Sequence, residues 1–140
     1  MAAARPKYNQ GSAQPHSLVL SALQFQALTA FAAYTATGKL VIPCRAKIIG
    51  VRLNYNREGG TFSVATLDVL VGGVSILAAA FDVAAMVAGT PADKEVADLT
   101  AAAADVAANS QVTFTTTESG GTSPTWADVT IQIDYVPLGG

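Results

Sequence analysis

The chain has 140 residues, the size of one domain, and 51% of them are apolar, enough for a real core. Charged residues make up 13%, well below the usual quarter, and the net charge is −2. The single cysteine, Cys44, excludes an internal disulfide, the Lys and Arg residues form no dense run with interleaved aromatics that would read nucleic acid, and the longest apolar stretch, residues 75–87, is broken by Asp82 and too short to span a bilayer.

The opening MAAARPKYNQGSAQPHS holds no apolar run that would make a core element. Its two prolines favour extended backbone before them. Residues 1–17 therefore read as an N-terminal arm ahead of a domain at 18–140. Within the arm, Arg5, Pro6, Lys7, Tyr8 and His16 are the candidates for contact with a partner, because Tyr8 has no local core to join. No basic stretch followed by an apolar one marks a secretory signal.

From Leu18 onward the chain reads as short strands. Leu18-Val-Leu, residues 25–34 and Leu40-Val-Ile before Pro43 are the first three. Residues 48–55 alternate, which places Ile49, Val51, Leu53 and Tyr55 on one face and Gly50, Arg52 and Asn54 on the other. Asn56-Arg-Glu-Gly-Gly then reads as a turn. In TLDVLVGGVSIL, the Gly72-Gly73 pair supplies positive φ between two alternating runs, the strongest hairpin in the chain. Residues 78–88 are the one stretch of helical composition, expected as a short helix or a loop with a small-residue face.

Gly89-Thr-Pro-Ala-Asp reads as a turn, and residues 96–100 as a short strand. Asn109-Ser110 turns the chain into QVTFTTTES, and Gly120-Gly-Thr-Ser-Pro124 is a loop. Trp126 opens the last strand, where Val129, Ile131, Ile133 and Tyr135 oppose Thr130, Gln132 and Asp134. Strands at short intervals, with Gly/Pro turns and at most one short helix, predict an all-β fold: an antiparallel β-sandwich or a barrel.

Charge is divided unevenly. Residues 1–60 carry seven cations against Glu58 alone, a net +6, and residues 61–140 carry nine carboxylates against Lys94 alone, a net −8. Two readings stand side by side: the halves interleave when strands pair, or a basic surface meets an acidic one on a neighbouring copy.

Chemistry is sparse. His16 is the only histidine, and as part of the arm it lacks a rigid strand to position it as a general base. No His/Cys/Asp set has metal-ligand spacing, and Asp93-Lys-Glu95 reads as a solvated turn rather than a calcium loop. Glu58 and Glu118 would act as a carboxylate pair only if the fold joined them. Cys44, beside Arg45, reads as a small buried hydrophobe. Trp126 reads as a plug at the end of the core, ahead of an interface anchor. No catalytic residue, cofactor or metal site is expected, and the chain does not read as an enzyme.

The arm, the segment CRAKIIGVRLNYNREGGTFSVATLDVLVGG, the hairpin LDVLVGGVSIL and the ending ANSQVTFTTTESGGTSPTWADVTIQIDY together resemble the jelly-roll decoration, or cement, proteins of tailed-bacteriophage capsids. The resemblance implies a jelly-roll sandwich and a homotrimer on three-fold positions of the outer capsid surface. It also implies arms that lie over the major capsid protein, with no direct contact to nucleic acid or membrane. The alternative from the same strand pattern is a receptor- or glycan-binding β-sandwich module, such as a tail-fibre knob, which would need exposed aromatics.

Overall fold

The computed structural model describes residues 14–22, 28–31 and 40–139, with the side chains of residues 20–22 and Thr29 left aside. Within them lie twelve strands: β1 (His16–Ala22), β2 (Thr29–Ala30), β3 (Leu40–Ile42), β4 (Ala46–Asn54), β5 (Arg57–Thr61), β6 (Val64–Val71), β7 (Val74–Ser75), β8 (Phe81–Asp82), β9 (Ala92–Glu95), β10 (Ser110–Ser119), β11 (Thr122–Ala127) and β12 (Val129–Pro137). Every pairing between them is antiparallel.

One layer runs β1-β12-β4-β9 and the other β3-β10-β6-β7, with β8 also on β6. If β7 and β8 are counted as one interrupted strand, the layers interleave first-eighth-third-sixth and second-seventh-fourth-fifth. That order is the jelly roll, an antiparallel sandwich built of two Greek keys. A smaller sheet, β2-β11-β5, extends the first layer past a corner. At that corner β4 becomes β5 through Asn56, and β11 becomes β12 through Asp128, which adopts φ 57°. The same strand pair therefore serves two sheets: Thr130 faces Asn54 on one side of the corner and Ala127 faces Arg57 on the other.

Several local expectations shift for identifiable reasons. Of residues 56–60 only Asn56 lies outside a strand; Arg57–Thr61 is a strand because β11 supplies a partner for its backbone. The stretch 78–88 holds β8 and the short 3-10 turn Val83–Ala85, since Phe81 and Val83 point into the core where an alanine helix would not. Residues 96–100 contain the 3-10 turn Val96–Asp98, closed by the Glu95 amide donating to Asp98 Oδ2 at 2.9 Å. Asp93-Lys-Glu95 lies in β9 rather than in a turn, and Thr122, Ser123 and Pro124 of the 120–124 loop belong to β11. The final run is two strands, with Trp126 near the end of β11. The Gly72-Gly73 hairpin forms as read, at φ 61° and 83°. Of the expected strand at 25–34, only residues 28–31 lie within the description.

The core is one cluster between the layers. Ile48, Val51, Leu53, Ile131 and Ile133 from the first layer meet Ala65, Leu67, Val69, Ile76 and Val112 from the second. One end is closed by aromatics: Phe31 lies 4.6 Å from Trp126 and 5.4 Å from Phe62, and Tyr55 lies 6.2 Å from Trp126, measured between ring centroids. Trp126 is wholly buried there, as the plug reading expects.

In β4 the strict alternation fails. The register against β12 steps from Asp134↔Gly50 to Tyr135↔Ile48, so Ile49 is the extra residue of a β-bulge. The bulge shifts the inward phase: Ile48, not Ile49, joins Val51 and Leu53 in the core, while Ile49 is half-buried. Ile48→Ala should therefore cost about 2–5 kcal/mol of unfolding free energy, as for a buried aliphatic truncation, and Ile49→Ala clearly less. Urea denaturation of the two variants checks this; equal losses, or a larger loss at Ile49, would place the bulge elsewhere.

Candidate functional site

The surface is organised first by charge. Arg45 donates to both oxygens of Asp105 at 2.8 and 2.7 Å, Arg52 pairs with Asp93 at 2.5 Å, and Arg57 reaches Asp128 at 3.0 Å. Each cation comes from the basic half of the sequence and each carboxylate from the acidic half. The fold brings the halves together in three places: Arg52 of β4 stands opposite Asp93 of β9, Arg45 just ahead of β4 meets Asp105, and Arg57 of β5 meets Asp128 at the corner. For these three pairs, the interleaving reading of the charge asymmetry is the one the fold adopts. Being exposed, the pairs contribute little to stability individually and more to the register of the strands around them.

Asp134 is a second organiser on the outer face of the first layer. It accepts from Ser17 Oγ at 2.6 Å and from Gln132 Nε2 at 2.9 Å, which ties β1 to β12 by side chains as well as backbone. Beside it, the bulge at Ile49 opens a depression of about 150 Å³ lined by Gly50, Arg52, Asp93, Lys94, Glu95 and Asp134. Arg52 and Asp93 neutralise each other within it, and the Lys94 ammonium lies 5.4 Å from the ring centre of Phe81.

His16 is in the first strand, not ahead of it. It stands opposite Tyr135, and the two rings stack at 5.5 Å and 23°. The boundary drawn after residue 17 therefore falls inside β1, because β12 continues far enough to pair His16 and Ser17. Cys44 is half-buried against the core, as expected of a small hydrophobe. The Tyr135 phenol is raised above its ordinary range, by burial first and by the neighbouring Cys44 second. Arg5, Pro6, Lys7 and Tyr8 lie outside the described residues.

The carboxylates considered as a pair have separate surroundings. Glu58 accepts the Tyr55 hydroxyl at 2.9 Å, while Glu118 lines a hollow of about 340 Å³ with Gly121, Ser123, Pro124 and Thr125, to which Glu58 does not contribute. Among the described residues, no three of His, Cys, Asp and Glu gather as a metal-binding group. Trp126 and Tyr55, on which a sugar-stacking platform would draw, are both fully buried.

What remains distinctive is an edge. β1 is paired over its whole length with β12 on one side, with no described strand on the other, and Val19 at its centre is 51% exposed. Reading for catalytic residue types missed this feature. The run HSLVLSA shows a strand without charge or proline, but its place at an edge comes from the pairing alone.

Two titrations test the side-chain geometry. The hydrogen bond from Arg45 holds the Asp105 carboxyl below the usual range, so its contribution is full above an unfolded pKa of about 3.9 and is lost as pH falls through the lower folded value. Burial, then the bond to Glu58, raises the Tyr55 phenol, so its contribution is full below about pH 10 and declines above it. In urea unfolding followed against pH, Asp105→Asn should flatten the acid limb and Tyr55→Phe the alkaline limb. Unchanged limbs would mean that these contacts do not persist in solution.

No protein-family model matches the chain, and no curated protein matches it at a significant level.

Proposed function

We propose that this chain is a structural virion protein that decorates the outer surface of a bacteriophage capsid and clamps neighbouring major capsid protein subunits, acting as a homotrimer at three-fold positions. The observation that carries the reading is the way the chain enters the fold. Gln14 and Pro15 are exposed and lead directly into β1, whose first residue, His16, is exposed as well and which is, among the described residues, an edge strand at the flank of a jelly roll. Residues 1–13 precede that point in the sequence. The sequence there supplies two cations, Arg5 and Lys7, and an aromatic, Tyr8.

The mechanism is passive. Interface area buried between capsid subunits and the clamp must be re-exposed before the shell can open. Ordering an arm costs conformational entropy, which a fixed and multivalent lattice offsets by engaging many clamps at once. An extended segment also satisfies its backbone polar groups most readily by adding to a partner's sheet.

The test is co-sedimentation and cryo-electron microscopy with empty capsids assembled from the major capsid protein encoded in the same genome. Saturable density on the outer surface is the expected result. Failure to bind, or binding to a glycan array instead, overturns the reading. Removal of residues 1–13, which stops short of His16, should leave the melting temperature nearly unchanged because those residues bring few large apolar side chains. The same deletion should sharply weaken capsid binding. Arg5→Ala with Lys7→Ala should weaken it less, and mainly at low salt. Unfolding of the truncated chain, or full-strength binding by it, contradicts the role given to the arm.

A further inference from the structure

We propose that β1 is a self-pairing edge, on which two copies of this chain join antiparallel about a two-fold axis through Val19. Natural sheet edges are protected by charge, proline, bulges or shortness. Four edge elements follow that rule: β3 has three residues and runs into Pro43, β7 and β8 have two residues each, and β9 has four, of which Asp93, Lys94 and Glu95 are charged. Among the described residues, β1 is shielded only by Pro15, which precedes its first residue. It spans seven residues without charge or proline, and its register with β12 runs unbroken from His16↔Tyr135 to Ala22↔Val129.

The sequence of β1 fits its own reverse. Ser17-Leu18-Val19-Leu20-Ser21 is a palindrome centred on Val19. Antiparallel pairing about that residue sets Val19 against Val19, Leu18 against Leu20 and Ser17 against Ser21, in both directions at once. A two-fold axis makes any self-pairing reciprocal; the palindrome adds that each residue type stands opposite its own kind. A one-residue slip would turn the inward face of one copy toward solvent, so the alternation of faces disfavours it.

Charge favours the same occupant. Pairing β1 with itself opposes no like charges, whereas pairing β9 with itself about Lys94 would set Lys94 against Lys94 and Asp93 against Glu95. The half-exposed Val19 would meet its own copy at the axis, and the first layers of both molecules would become one continuous sheet. This contact is separate from any three-fold contact on a capsid. It is tested on the isolated protein, so its failure would leave the capsid reading standing, and the converse also holds.

The experiment uses the full chain with Cys44→Ala, so that one introduced cysteine is the sole thiol. Residues directly opposite in an antiparallel pair lie about 4.5–5.5 Å apart at Cα, within disulfide reach. Val19→Cys should form an intermolecular disulfide readily under mild oxidation. Ser17→Cys, which faces Ser21 rather than itself, should not. In sedimentation equilibrium, the unmodified chain should populate an even-numbered species: a dimer, or a hexamer where a three-fold contact also forms. Val19→Lys should weaken this association by about tenfold or more, through like charges at the axis, with an unchanged circular dichroism spectrum and melting temperature. A monomer or a trimer at all concentrations, association indifferent to Val19→Lys, or cross-linking no faster at 19 than at 17 overturns the proposal.

Discussion

The pairing of β4 with β12 is the constraint on which the rest of this structure depends. These two strands are the centre of the first layer, and both carry an inward row of branched apolar residues. They lie far apart in the chain, so the loop they close must be ordered before the core rewards it. Once they are joined, β1 and β9 have edges to add to, and the extension of the same pair beyond Asn56 and Asp128 creates β5 and β11. The aromatic end of the core follows from that extension, because Trp126 belongs to β11 and meets Tyr55 just past the end of β4. The bulge at Ile49 adjusts the pair so that both of its ends face the core.

Electrostatics follows the same geometry. A sequence split into a basic and an acidic half looks like a molecule built to meet an oppositely charged partner. In the fold, Arg45, Arg52 and Arg57 find carboxylates within the chain. What distinguishes the surface is therefore less its charge than its edges and the point at which the chain enters. Both the capsid reading and the self-pairing of β1 draw on that flank, through different chemistry: a basic and aromatic segment ahead of the strand in one case, and in the other the backbone edge that no described strand pairs. Neither role requires bond chemistry, which agrees with a sequence whose single histidine is used for stacking on Tyr135.

The sequence by itself determined the all-β class, the Gly72-Gly73 hairpin, the inward row of β12 and the burial of Trp126. Each follows from a local rule: period-two alternation, positive φ at glycine, or the area of a large aromatic. It also displayed the uncharged palindrome of β1, although nothing local says that this strand is an edge. Tertiary structure alone decided which cation meets which carboxylate, since those partners are distant in sequence. It decided that Arg57–Thr61 is a strand and residues 78–88 are not a helix, because a backbone partner and a core-facing Phe81 override local propensity. It placed His16 within β1 because β12 is long enough to pair it. It also put Ile48 rather than Ile49 in the core, because a bulge is a property of two strands in register and cannot be read from one of them.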